Sequence, residues 1–336
     1  DAQESRGLGD VYKRQGYGIV EQQGTQNPEE DETTCRTLTT EDLISEELLL
    51  PQSEETQQTA LIPESVEATA GTALSNFRPA VQQVQIDRTQ LADYETLVRN
   101  FYAIDANTMA GSDQLSVEKL LGMDMTLPQE GDGPQILIYH THSQEAFADS
   151  VPGDVNTGIV GVGECLTKIL TEQYGYRVLH NTGQYDVETR DNAYSRALPA
   201  VEQILAENPS IQVIIDLHRD EVAEETKLVT DIQGRPTARF MFFNGLSRTR
   251  KTGDIDYLAN ENQEANLAFS FQMQLKAAEY YPGLTRRIYL KGYRYNMHLR
   301  PRTLLVELGA QNNTVEEAIN ACDPLAHILD MVLKGE

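Results

Sequence analysis

The residues best suited to chemistry stand at the ends of three apolar runs. Ile136 to Tyr139 is apolar and stops at His140-Thr141-His142-Ser143-Gln144-Glu145. Ile211 to Asp216 runs into Leu217-His218-Arg219-Asp220, and Thr303 to Leu308 carries Glu307. An imidazole and a carboxylate three residues apart on a strand-to-loop turn, as in His142 and Glu145, can both reach one zinc ion at about 2.0–2.2 Å. His218 completes a set of two histidines and one glutamate, which leaves a catalytic zinc a fourth position for water. Zinc brings the pKa of that water towards 7 and polarises a carbonyl. A general base must then lie within hydrogen-bond reach, and Glu307 suits that role. Burying single polar groups at the ends of apolar runs is costly, so a design for packing alone would avoid it.

Alternatives exist at two of these positions. His140 shares the loop with His142 and could face the same side by strand alternation. Glu164 opens a helix and could replace Glu145, although a carboxylate in a first helical turn is also an ordinary surface feature. Asp216 lies two residues before His218 on the same strand face and could orient its imidazole. Arg219 could meet a substrate carboxylate or a developing oxyanion. His180, His298 and His327 have no partner pattern and read as surface or packing histidines.

The elements that must position these groups alternate between strand and helix. Gly131-Asp132-Gly133-Pro134 is a turn signal before the first strand. A helix is expected over Gly158 to Gln173, with Ile159, Val162, Leu166, Ile169 and Leu170 on one face. Tyr176–Leu179 reads as a strand. Asn192 to Glu207 reads as a helix stopped by Asn208-Pro209-Ser210. Lys227–Ile232 and Ala238–Phe243 read as a strand pair around Gln233-Gly234-Arg235-Pro236, and Leu258 to Tyr281 as a long helix. Arg287–Leu290 and Thr303–Leu308 are further strands. Thr314 to Lys334 closes the chain as a helix, with Thr314 and Glu317 spaced as a capping box. This alternation predicts an α/β three-layer sandwich over 131–336 with a mostly parallel mixed sheet and an antiparallel edge. In such sheets the carboxyl ends of the strands face the ligand crevice.

Residues 78–130 read as a helical arm, with Leu91, Tyr94, Leu97, Val98 and Phe101 at helical spacing and a second short helix near Val117 to Leu121. Residues 1–77 read as a disordered acidic segment. Gly18 to Asn76 has no aromatic residue and cannot bury enough apolar surface to offset the ordering entropy. Leu43 to Leu50 is a short amphipathic exception. Of the net charge of −25, residues 21–70 hold −12, from 13 Asp/Glu and one Arg. Phosphate neutralisation, and with it nucleic-acid binding, is excluded by that balance. Cys35, Cys165 and Cys322 are scattered, with no C-x-x-C, and indicate neither a disulfide framework nor a cysteine zinc site. No run of 18 apolar residues marks a membrane span.

ILIYHTHSQEAF (136–147), IIDLHRD (214–220) and TLLVELGAQNNTVEEA (303–318), in that order, resemble the stage II sporulation protein P family. The resemblance covers roughly residues 80 to 336. It implies a fold like the zinc amidases and, more distantly, the zinc carboxypeptidases. It implies a Zn2+-dependent N-acetylmuramoyl-L-alanine amidase acting on peptidoglycan during forespore engulfment, with endopeptidase cleavage of cross-links as well. By the same resemblance zinc falls to His142, Glu145 or Glu164, and His218, with Glu307 catalytic. The partner implied is stage II sporulation protein D, and the setting is extracytoplasmic, with a membrane anchor expected upstream of this chain. A zinc carboxypeptidase or deacylase is a second reading, with Arg219, Arg294, Arg300 and Arg302 as candidate clamps for a free carboxylate. A third is a non-catalytic binding module.

Overall fold

The computed structural model describes residues 77–128 and 131–336. The acidic segment read over 1–77, with Leu43 to Leu50, lies outside the described residues apart from Phe77. In chain order the elements are α1 (Tyr94–Phe101), β1 (Tyr102–Ile104), α2 (Val117–Gly122), β2 (Ile136–Tyr139), α3 (Ile159–Glu172), β3 (Val178–His180), α4 (Ala193–Glu207) and β4 (Val213–Asp220). There follow β5 (Val229–Ile232), β6 (Arg235–Ala238), β7 (Phe240–Gly245), β8 (Arg248–Thr249), β9 (Gly253–Asp254), α5 (Gln263–Tyr280), β10 (Ile288–Lys291), β11 (Arg302–Ala310) and α6 (Val315–Lys334).

Seven strands form one mixed sheet in the order β1-β10-β7-β11-β4-β2-β3. The strands β11, β4, β2 and β3 run parallel to one another. So do β1, β10 and β7. The two blocks meet where β7 pairs antiparallel with β11. The antiparallel pairing is therefore inside the sheet, where an edge was expected. The turn after β5 is the reason. Gln233 and Gly234 both have positive φ, 58° and 79°, which is the backbone of a two-residue hairpin turn. That turn pairs Ile232 with Arg235 and ends the hairpin at Ala238. Phe240 then starts a new strand in the main sheet, so of the strand expected over Ala238–Phe243 only Ala238 pairs with β5 and the part from Phe240 joins the main sheet.

Alternation along each strand sorts the core into two faces. Ile136, Ile138, Val213, Ile215, Leu217, Leu304, Val306 and Leu308 pack with α3, α5 and α6 in one cluster. Leu137, Tyr139 and Ile214 face Ala197, Val201 and Leu205 of α4 on the other side. Helices on both faces make three layers. The first layer is anchored by α6, whose start is the expected capping box: Thr314 and Glu317 each satisfy the other's backbone N–H. Residues 78–130 supply helices to this layer, and β1 also forms the sheet edge by pairing with β10. The long helix α5 starts at Gln263, five residues later than expected, after a tight turn over Asp256–Leu258.

Candidate active site

Because β2, β4 and β11 are parallel, their carboxyl ends reach the same side of the sheet, and register does the rest. Glu307 of β11 lies directly beside His218 of β4, and Leu305 beside Asp216, which in turn neighbours Tyr139 of β2. Alternation puts Asp216 and His218 on the face of Ile214, towards α4, and Glu307 on the face of Leu305. All five belong to one surface of the sheet. The loop after β2 brings His142 to this place. Its ring centroid lies 5.3 Å from that of His218.

Glu145 completes the group. Its Oε2 lies 3.6 Å from His218 Nδ1 and accepts from Arg219 N at 2.8 Å. Its Oε1 accepts from Arg190 Nη2 at 2.8 Å. On the other side of the His218 ring, Nε2 is 2.8 Å from Asp216 Oδ1 but out of line for a hydrogen bond. Asp216 is itself fixed by Thr141, which donates from N at 2.9 Å and from Oγ1 at 2.7 Å. Tyr194 of α4 covers the two imidazoles, edge-on to His142 at 5.7 Å and stacked on His218 at 6.4 Å.

The electrostatics follow from burial and from these neighbours. Burial alone would depress His218, yet Asp216 and Glu145 outweigh it and raise its pKa well above the ordinary imidazole value. Burial opposes ionisation of Glu145, but His218, His142 and Arg190 hold its carboxyl below the usual range. Burial lowers His142 and keeps that imidazole neutral. Burial first, and the charge of Asp220 second, push Glu307 up to about 8. Asp220 is paired with Arg286 at 2.7 Å. Three polar atoms of the group are buried without a hydrogen-bond partner: His142 Nδ1, His218 Nε2 and Glu307 Oε2.

Among the described residues, no group of three or more His, Cys, Asp or Glu side chains converges closely enough to hold a metal ion as it stands. The two oxygens of Glu145 face Arg190 and Arg219 N. In kind, however, the donors fit zinc. Two imidazoles and a carboxylate are buried together, and each imidazole has an orphaned nitrogen.

The alternatives separate in space. His140 points to the opposite face, where Nδ1 donates to Leu217 O at 2.8 Å and Nε2 meets His180 Nε2 at 2.9 Å. Glu164 is on that side too, with Oε2 2.9 Å from His180 Nδ1. His140 and Glu164 thus belong with His180, and His142 and Glu145 with His218. The His140 ring fits because position 163 is glycine: a Cβ there would lie 2.5 Å from Nε2. His327 is a packing residue bonded to Tyr281 Oη at 2.6 Å.

Four contributors escape a reading of the sequence: Asp186, Arg190, Tyr194 and Asp220. Asp186 accepts from Ser143 Oγ at 2.7 Å and Gln144 N at 3.2 Å, and its Oδ2 is 3.8 Å from His142 Nδ1. The first three follow β3, a parallel neighbour of β2, so the loop with Asp186 and Arg190 and the start of α4 with Tyr194 must open on the same sheet end. The polar run from Asp186 to Asp191 was the available signal.

The fold and this group define an α/β protein with a buried histidine–carboxylate cluster at the carboxyl ends of its parallel strands. A model of the stage II sporulation protein P family matches residues 17–330, and the chain belongs to that family. Stage II sporulation protein P of Bacillus subtilis (strain 168) is 26% identical over 217 residues, 59% of this chain and 51% of the relative. The chain thus spans about half the length of that relative. Solved structures give looser likenesses. The N-acetylmuramoyl-L-alanine amidase AmiC2 of Nostoc punctiforme has a TM-score of 0.36 at 12% identity, over 60% of this chain and 97% of its own. The amidase Ami1 of Mycobacterium smegmatis has 0.37 at 14%, over 64% and 100%. The CwlD amidase of Clostridioides difficile, in complex with the GerS lipoprotein, has 0.35 at 13%, over 60% and 95%.

Proposed function

We propose that this chain is a zinc-dependent peptidoglycan hydrolase, an N-acetylmuramoyl-L-alanine amidase that cuts the bond between N-acetylmuramic acid and the stem peptide. The observation that carries the reading is the pairing of Glu307 with His218 across β11 and β4, with Glu307 Oε2 buried and unpartnered beside His142 and Glu145. In this reading His142, Glu145 and His218 hold the zinc ion. Bound there, zinc supplies a water of lowered pKa and polarises the scissile carbonyl.

The rest is done by the chain's own side chains. Glu307 takes a proton from the attacking water at Oε2 and returns it to the leaving amine nitrogen. A carboxyl whose pKa has been pushed towards neutrality suits both transfers, and a cation nearby draws it back into the ionised range. Asp216, held by Thr141, places a carboxylate charge 2.8 Å from His218 Nε2. Arg190 and Arg219 N balance the charge of Glu145, and Tyr194 keeps bulk water from both imidazoles.

Family membership supports a role in sporulation with the cell wall as substrate. By the same resemblance, cleavage of peptide cross-links, action in forespore engulfment outside the cytoplasm, and work beside stage II sporulation protein D are part of the proposal. Among the described residues, no helix is long and apolar enough to cross a membrane. The carboxypeptidase reading is the weaker one. Its candidate clamps are engaged with backbone carbonyls: Arg219 with Ala146 at 3.0 Å, Arg294 with Ala259 at 3.1 Å, Arg300 with Ile211 at 3.0 Å and Arg302 with Met125 at 3.0 Å.

The test is digestion of purified peptidoglycan by the zinc-loaded protein, with the fragments identified by mass spectrometry. Free stem peptides beginning with alanine are expected. Release of only terminal amino acids, or of nothing, would count against the amidase.

A further inference from the structure

Cys165 and Cys322 are distant in sequence and adjacent in the fold. Cys165 sits midway along α3 and is partly exposed, whereas Cys322 in α6 is fully buried. The Cys322 Sγ lies 3.6 Å from the carbonyl oxygen of Val162, in the turn of α3 that precedes Cys165. A helical side chain leans back over the turn before its own Cα, so Cys165 covers the same spot on α3 that the Cys322 thiol meets. Small side chains on α6, Ala318 and Ala321, both fully buried, let the helices come close. The site described above uses neither thiol.

We propose that Cys165 and Cys322 are a dithiol that closes into a disulfide when the protein meets a disulfide oxidant, clamping α3 to α6. The neighbouring Cys322 thiol first, and the charges of Lys168 and Arg235 after it, hold the Cys165 thiol below its ordinary pKa against burial and Asp323, which favours its thiolate. The Cys165 thiolate attacks one sulfur of a small disulfide, the S–S bond breaks, and one thiolate leaves. Cys322 gives up its proton and attacks Cys165 Sγ, expelling the second thiolate. The protein loses two protons and two electrons, and the oxidant takes them up and leaves as two thiols. The clamp would lie under the candidate site. The first residue of α3, Ile159, donates from N to Glu145 O at 2.9 Å, and Gly163 of α3 packs against His140. Sequence spacing gave no hint of the pair, because nothing in two isolated cysteines encodes the packing of α3 on α6.

The experiment incubates the full chain with oxidised glutathione or with dithiothreitol, alkylates it under denaturing conditions, and maps its peptides by mass spectrometry beside a thermal melt. After oxidation the expected product is a linked Cys165–Cys322 peptide pair, two hydrogens lighter than its parts. A rise in Tm of roughly 5 °C or more should accompany it, since the bridge closes a long loop. Cys322→Ser, or the more exposed Cys165→Ser should the first fail to fold, gives no linked pair and no rise in Tm. The proposal is overturned if Cys322 stays alkylatable while Cys165 stops at the glutathione adduct, or if either pairs instead with Cys35.

Discussion

At the scale of single residues, His218 is tightly constrained. It lies between two carboxylates, with Glu145 Oε2 3.6 Å from Nδ1 and Asp216 Oδ1 2.8 Å from Nε2, and an aromatic ring covers it. Those carboxylates hold a proton on it in the protein alone, and the same negative surroundings suit a bound cation. The proposed metal site therefore hangs on this side chain. His218→Ala is expected to lose stoichiometric zinc, read by elemental analysis after dialysis, together with activity. Zinc retained at one per chain would mean that the third ligand is another residue. The residue scale is also where the sequence was easiest to read. H-x-x-E after an apolar run, then a histidine and a glutamate at the ends of two others, locates four members of the cluster. Asp186 and Arg190, in the loop after β3, and Tyr194, at the start of α4, were harder to read, because no apolar run leads into them and only the polar stretch after β3 marks the place.

At the scale of elements, capping and period decide most of what forms. Thr314 accepts from Glu317 N at 3.2 Å, and Glu317 Oε2 accepts from Thr314 N at 3.0 Å. This box starts the buried helix against which α3 and β6 pack. Thr314→Ala should cost about 1 kcal/mol, read as a lower midpoint of urea unfolding with an unchanged slope. An unchanged midpoint would show that tertiary packing alone fixes the start of α6. Period 2 and period 3.6 were legible for nearly every strand and helix, because each buries one face. Partner choice was not. Nothing in Phe240–Gly245 says that it joins β11 rather than β5. That is settled by the two-residue turn at Gln233-Gly234, which ends the hairpin early and frees the next strand for the main sheet.

At the scale of the molecule, one sheet joins two parallel blocks of opposite direction, and the cluster lies where β4 and β11 meet beside that junction. A ligand that binds only the folded site stabilises the whole domain by mass action, by about 2.7 kcal/mol at 100 times its dissociation constant. For a domain of this size that is a shift in Tm of about 5–10 °C. Chelation should lower the melting temperature of zinc-loaded protein by this much, and His218→Ala should not respond. An equal response from that variant would place the metal elsewhere. The central claim is that Glu307 acts on a proton and not on the metal, and the direct test is Glu307→Gln. Its bound zinc and its rate of stem-peptide release are measured beside those of the wild type. The account predicts one zinc per chain in both and a rate lower by about a hundredfold or more in the variant. Wild-type turnover in Glu307→Gln would contradict it.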